Sequence, residues 1–478
     1  MRKAKIVATI GPNSASREML EGLVRAGMDV ARLNFSHGTY ETYHQIIADL
    51  REISSKLAIP VAILQDLAGL KIRTGPLADH APLTLVNGQN LTITTESIEG
   101  TQEIISTNYK NLPQEIGVGE TLLLSDGLIE LEVLDRTETT VACKVLSGGE
   151  LTEHQGINMP GSTINAPALT PKDLKDLMFG IEKGVDFVAL SFVRSAADVT
   201  ALREVLQENG ANIPIIAKLE KPSAISDLEA ILANSEGVMV ARGDLGVEVQ
   251  PERVPIIQKR VIWQANQAGK LVITATQMLE SMIRQPRPTR AEASDVANAV
   301  IDGTDALMLS GETAVGKFPV ESVEMMDRII TEVESLGTQD VPQSTELSQG
   351  STFPEAACRS AYHASRTIEA RFIIVFTQSG ATALKLSKYR PSTDILAFTP
   401  KLTTMNRVQL YWGVNSILMH PIRQVDELIE ETEKLLLERN LASLGDNLII
   451  LTGVPILEEG HTSLMKLHKL GSINSSSE

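Results

Sequence analysis

Cysteine is nearly missing from this chain. Its 478 residues hold two, Cys143 and Cys358, too few and too far apart for a disulfide framework. A reducing, cytoplasmic setting is the expectation. Long apolar runs are missing too: none approaches the roughly 18 residues that cross a bilayer. Met1-Arg2-Lys3 leads straight into Ala4-Lys5-Ile6-Val7-Ala8-Thr9-Ile10, the pattern of a first strand and not of a signal peptide. There is no excess of positive charge. A formal net charge of −17 argues against nucleic acid or an anionic membrane as partner. Small anionic ligands stay open, because an acidic protein can still gather positive charge locally. No low-complexity tract or coiled coil is present, and the eight histidines lack zinc-like spacing.

What the chain does have is length and alternation. It exceeds the size at which one core stops growing, so two or three domains are expected. Short apolar runs at 6–10, 29–34, 61–66, 186–192, 214–219, 237–241, 271–275 and 305–309 alternate with helix-like stretches. Ser16 before Arg17-Glu18 and Pro171 before Lys172 read as helix starts. Eight such units predict an α/β fold, a closed (β/α)8 TIM barrel spanning 1–74 and 167–337. Between them, residues 75–166 turn Thr- and Val-rich with Gly turns, predicting an inserted small all-β domain placed to act as a lid. A polar stretch at 338–351 reads as a linker, and 352–478 as a separate C-terminal α/β domain.

Barrel enzymes build their sites where strands end. Strand two ends in Arg32, Asn34 and Ser36 on one face, strand three in Asp66 followed by Lys71 and Arg73. Strand five supplies Lys218 and Glu220, strand six Arg242-Gly243-Asp244, strand seven Thr276, strand eight Glu312. A lysine and a carboxylate side by side at the end of a buried strand are costly unless something uses them. Arginine forks suit phosphate, and two carboxylates completed by substrate oxygens and water suit Mg²⁺. The set fits phosphoryl transfer, although any one of these charges read alone fits an ordinary salt bridge.

Two motifs fail. Gly311 to Lys317 approaches a phosphate-binding loop, but Phe318 stands where a Ser or Thr should hold Mg²⁺, and Pro319 follows. Asn34-Phe35-Ser36 matches a glycosylation pattern that means nothing in a cytoplasmic protein. In the last domain, Thr377-Gln378-Ser379-Gly380-Ala381-Thr382 follows a strand and opens a helix. It reads equally as a phosphate pocket or as a simple helix cap.

With these motifs assembled the chain resembles the pyruvate kinase family, essentially from end to end. The resemblance rests on Lys5 to Pro12, Ala31 to Gly38, Ala217 to Glu220, Met239 to Gly246, Ala275 to Met282 and Met308 to Ala314, in the family's order. It implies transfer of the phosphoryl group of phosphoenolpyruvate to ADP, giving pyruvate and ATP. By position, Glu220 and Asp244 would hold Mg²⁺, and a second Mg²⁺ would arrive with the nucleotide. Lys218 would stabilise the transferring group and the enolate. Arg32 would contact the phosphoryl group, while Gly243, Asp244 and Thr276 would hold the substrate carboxylate. Thr276 would also lie near the site of enolate protonation, with a water chain as donor. Asn34, Ser36, His37, Arg73 and Lys172 would line the nucleotide side. Thr377, Ser379, Gly380 and Thr382 would grip a phosphorylated effector, and the assembly would be a homotetramer.

Departures carry expectations of their own. Many members read Asp-Thr-Lys-Gly-Pro-Glu where this chain has Asp66-Leu67-Ala68-Gly69-Leu70-Lys71. The glutamate accompanies K⁺ held near Asn34, Ser36, Asp66 and Leu67. The ammonium of Lys71 is expected in that place instead, making K⁺ unnecessary. Lys221-Pro222 replaces the usual residues after the metal glutamate. The loop after residue 453 lacks an arginine, which favours a monophosphate effector over a bisphosphate. Two rival readings are a Mg²⁺-dependent barrel lyase of pyruvate-like acids and a non-catalytic, effector-binding relative.

Overall fold

Apolar runs buried on both faces cannot sit at a sheet edge, and here they have none. In the computed structural model, which describes residues 2–161, 165–336, 352–453, 456 and 462–472, eight parallel strands close into a barrel. In chain order they are Lys5–Ile10, Val30–Asn34, Ala62–Leu67, Phe187–Leu190, Ile215–Leu219, Gly237–Ala241, Leu271–Ala275 and Ala306–Leu309. Lys5 opposite Ala306 and Val7 opposite Val30 seal the ring. Successive side chains alternate sides: Ile6, Ala8 and Ile10 pack on the surrounding helices, while Val7 joins Leu64, Phe187, Ile216 and Ile273 inside. The predicted strand runs and observed strands coincide within a few residues.

Local signals set the helix ends. Ser16 accepts from the Met19 N–H at 3.3 Å to open Arg17–Ala26, and Gly27 ends it at φ 112°, a conformation that favours glycine. Thr170 and Asp173 form a capping box on Pro171–Lys183. Asp173 also accepts from the Gly69 N–H at 3.0 Å, which fixes the loop leaving the third strand.

Between the third strand and that helix lies a six-stranded sheet with a two-stranded one beside it. Ile104–Ser106, Gly149–Leu151 and Ile157–Asn158 escaped the sequence reading. Strands of two or three residues are too short for alternation to register, and distant partners create them. The C-terminal unit carries four parallel strands and an antiparallel edge strand, Thr462–Lys469, also missed, as was the helix Leu402–Arg407. It docks beneath the barrel through Lys388 and Arg390, which bond Asp305 at 2.6 and 2.8 Å. The expected linker at 338–351 lies outside the described residues. So does the loop after residue 453, apart from Ile456. Among the described residues no helix is long and apolar enough to cross a membrane.

Candidate active site

The carboxyl ends of strands two, three, four and five converge on one buried charge network. The Arg32 guanidinium reaches Asp66 through Nε at 2.7 Å and Nη2 at 2.6 Å, and its Nη1 reaches Thr9 Oγ1 at 2.9 Å. Lys218 Nζ stands 3.3 Å from Asp66, 3.0 Å from Glu220 and 2.7 Å from Ser191 Oγ. Ser191 Oγ donates to Asp66 at 3.2 Å, and the Phe192 N–H donates to Glu220 at 2.7 Å. Burial works against the Lys218 ammonium, but Asp66 and Glu220 outweigh it and hold the group above its ordinary value. Burial opposes the Asp66 carboxylate as well, and Lys218 with Arg32 hold it below the usual range. Glu220 goes the other way. Burial, reinforced by Asp244, pushes its carboxyl up despite Lys218.

Strands six and seven build the second half. Thr276 Oγ1 accepts from the Gly243 N–H at 2.7 Å and donates to the Ala275 carbonyl at 2.6 Å. Thr276 and Gln277 lie at φ 70° and 55°, and Phe192 at 54°. These are strained positions for residues with a Cβ, of the kind that cluster at functional sites. Arg242 holds the strained turn, bonding the Thr276 carbonyl at 2.7 Å and Asp295 at 2.7 Å. It therefore positions backbone and does not offer its fork to a ligand.

Glu220 and Asp244 fit a divalent cation. The Asp244 charge raises the Glu220 carboxyl, a repulsion that a bound cation would relieve. Among the described residues no cluster of three or more His, Cys, Asp or Glu could hold a metal unaided. The pair would need substrate oxygens and water to complete the shell, as Mg²⁺ prefers.

Not every expected residue joins this network. Lys172 Nζ bonds the Phe35 carbonyl and Asp176, each at 2.6 Å, and Arg73 bonds the His154 carbonyl at 2.9 Å. Asn34 Oδ1 accepts from the Ser36 N–H at 3.2 Å, while Ser36 and His37 are exposed at the mouth. Glu312 is a buried brace for the Leu279 and Ser310 N–H groups. Lys71 Nζ lies 3.6 Å from Asp244. Gly69, held by Asp173 and turned at φ 64°, carries the chain towards the lid side of the cleft. Ser191 and the Phe192 N–H were missed, although they end the fourth apolar run and the strand-end rule would have found them.

At the foot of the last domain, Gly380 at φ 86° opens Ala381–Lys388 and donates to Thr377 Oγ1 at 2.9 Å. Thr382 bonds Thr462 at 2.6 Å, and Ser379 is exposed.

Comparison with known proteins decides the reading. The pyruvate kinase barrel domain matches residues 1–323, and the pyruvate kinase alpha/beta domain matches 355–468. The chain belongs to the pyruvate kinase family. Pyruvate kinases of Staphylococcus aureus strains MRSA252 and USA300 are each 45% identical over 477 residues, covering 98% of this chain and 81% of theirs. The crystal structure of a pyruvate kinase from Cryptosporidium parvum superposes with a TM-score of 0.92 at 39% identity, covering 98% of this chain and 96% of that one. The chain is thus a phosphotransferase that passes the phosphoryl group of phosphoenolpyruvate to ADP, in a family that depends on divalent metal. Membership in the pyruvate kinase family closes the lyase reading.

Proposed function

We propose that the charge network at the ends of strands two to five is the seat of this transfer, and that Lys218 is its principal catalytic residue. The observation that carries this reading is an ammonium kept charged between two buried carboxylates. A divalent ion held by Glu220 and Asp244, taken to be Mg²⁺, would draw charge from substrate oxygens, with a second Mg²⁺ accompanying the nucleotide. Arg32 orients the phosphoryl group while Asp66 fixes the fork of its guanidinium. Lys218 faces the charge that grows on the transferring group and on the enolate oxygen. Gly243, Asp244 and Thr276 hold the carboxylate, and Thr276 stands near the methylene that takes a proton from a water chain. Asn34, Ser36, His37, Arg73 and Lys172 line the nucleotide side. The division into a barrel at 1–74 and 167–337, a lid at 75–166 and an effector domain at 352–478 belongs to the same reading.

K⁺ is not required in this scheme, because the Lys71 ammonium supplies a fixed monovalent charge beside Asp244. Pyruvate formation from phosphoenolpyruvate, ADP and Mg²⁺ in tetramethylammonium buffer tests reaction and cation together. Activity should change less than about twofold when K⁺ is added, and Lys71→Glu should make it K⁺-dependent by about tenfold or more. No pyruvate under either condition would sink the assignment; wild-type activity only with K⁺ would sink the role of Lys71 alone.

Thr377, Ser379, Gly380 and Thr382 form the effector loop, for which a sugar or nucleotide monophosphate is the proposed ligand. In a titration, ribose 5-phosphate should bind more tightly than fructose 1,6-bisphosphate, and the reverse order would overturn the proposal. Sedimentation of the same samples checks the proposed homotetramer. Ile256 and Trp263, 68% and 60% exposed and two turns apart on Val254–Gln267, offer it an apolar contact.

A further inference from the structure

Beyond the residues that touch substrate or metal, one cluster ties the lid to the barrel. Asn158 belongs to the two-residue strand Ile157–Asn158, which pairs with Thr121–Leu124 of the lid sheet. Its side-chain amide donates to Glu248 Oε1 at 2.7 Å. Glu248 is the last residue of Arg242–Glu248, the short helix whose first turn carries Gly243 and Asp244. Its carboxylate is 1% exposed, and Lys221 Nζ bonds the same oxygen. Lys221 follows Glu220 directly in the chain. Asn158 and Lys221 also line the cleft between lid and barrel, together with Lys71, Ser191 and Asp244.

We propose that Asn158, Glu248 and Lys221 form a latch that makes lid docking and the placement of Glu220 and Asp244 one event. The three are positioning residues for phosphoryl transfer, and the proposal rests on the metal-side roles given above to Glu220 and Asp244. A buried carboxylate needs all the donors it can find. With the lid docked, Glu248 has an ammonium and an amide; with the lid away, it keeps the ammonium alone. Docking is therefore favoured by the barrel's own charge. One end of a seven-residue helix is held by the lid, and the other presents Asp244. Glu248 holds Lys221, the residue next to Glu220, in the same way. Small displacements of such groups are costly in rate, so a latch at this point is well placed to govern turnover.

The test exchanges charge across the contact. Asn158→Asp puts a second carboxylate against Glu248 and should open the latch. In the full-length enzyme, amide hydrogen exchange at residues 121–124 and 157–158 should rise. The value of kcat/KM should fall about ten- to a hundredfold, as for partners one shell out from a metal. Adding Glu248→Gln restores an amide–carboxylate pair with its ends reversed and leaves Lys221 a partner. This double variant should recover both readouts to within about threefold of the wild type. A purely structural role would change the melting temperature without changing lid exchange on addition of phosphoenolpyruvate and Mg²⁺. Wild-type exchange and kcat/KM in Asn158→Asp would overturn the latch, as would failure of the double variant to recover. Exchange is read with and without substrate, so the latch is judged separately from the ability of the wild type to make pyruvate.

Discussion

Lys218→Met should lower kcat by about two to three orders of magnitude, the usual cost of removing one preorganised group that faces developing charge. Methionine matches the four-atom apolar stem of lysine, so the stem's space is filled and only the ammonium goes. That ammonium now serves Asp66, Glu220 and Ser191 together from a position shielded from water. Once it is gone, Asp66 retains Arg32, whereas among the described residues Glu220 retains only the Phe192 N–H. In the proposed roles, both substrate groups that gain charge during transfer would lose their partner, while Arg32 and Thr276 would still hold the ground state. The loss should fall on kcat more than on the KM for phosphoenolpyruvate. Steady-state kinetics on protein shown to be folded by its circular dichroism checks this. A variant within tenfold of the wild-type kcat would remove Lys218 from the mechanism.

The largest effect on stability should come from the opposite end of the barrel. Asp305→Ala is expected to destabilise the protein by about 3–5 kcal/mol, the range for breaking a buried ion pair from one side. The Asp305 carboxylate is fully buried and accepts from Lys388 at 2.6 Å, Arg390 at 2.8 Å and the Val272 N–H at 2.8 Å. Burial already pulls the Lys388 ammonium down to about 8, with Asp305 as its main support. Alanine would leave two cations and an N–H in the interface without their acceptor. Urea unfolding should show the lower midpoint. A change under about 1 kcal/mol would mean that water or Asn266, which also accepts from Lys388 at 3.0 Å, takes over the role.

Lys388 ends the helix that Gly380 begins, so the same contact joins the loop at 377–380 to the start of the last barrel strand. The chain's two cysteines have no part in any of this. Cys143 and Cys358 are buried and free, with thiols pushed up by burial to about 12, as inert core residues should be.

By itself the sequence determined the barrel, because strands buried on both faces read as unbroken apolar runs and the helices between them carry their own caps, as at Ser16 and Thr170. It also determined which residue types end each strand, and so the chemistry available to Arg32, Asp66, Lys218, Glu220 and Asp244. Tertiary structure alone decided which of these charges meet. Lys218 and Glu220 are two residues apart, but Asp66 and Ser191 reach Lys218 only because neighbouring strands close in register. The same folding brings Lys71, beyond the turn at Gly69, to Asp244. Glu312 and Arg242 carry the same charges as the site residues, and only their neighbours turn them into braces. Strands as short as Ile157–Asn158 have no pattern of their own. Their partners lie far away in the chain, and a contact such as Asn158 on Glu248 exists only once both ends have folded.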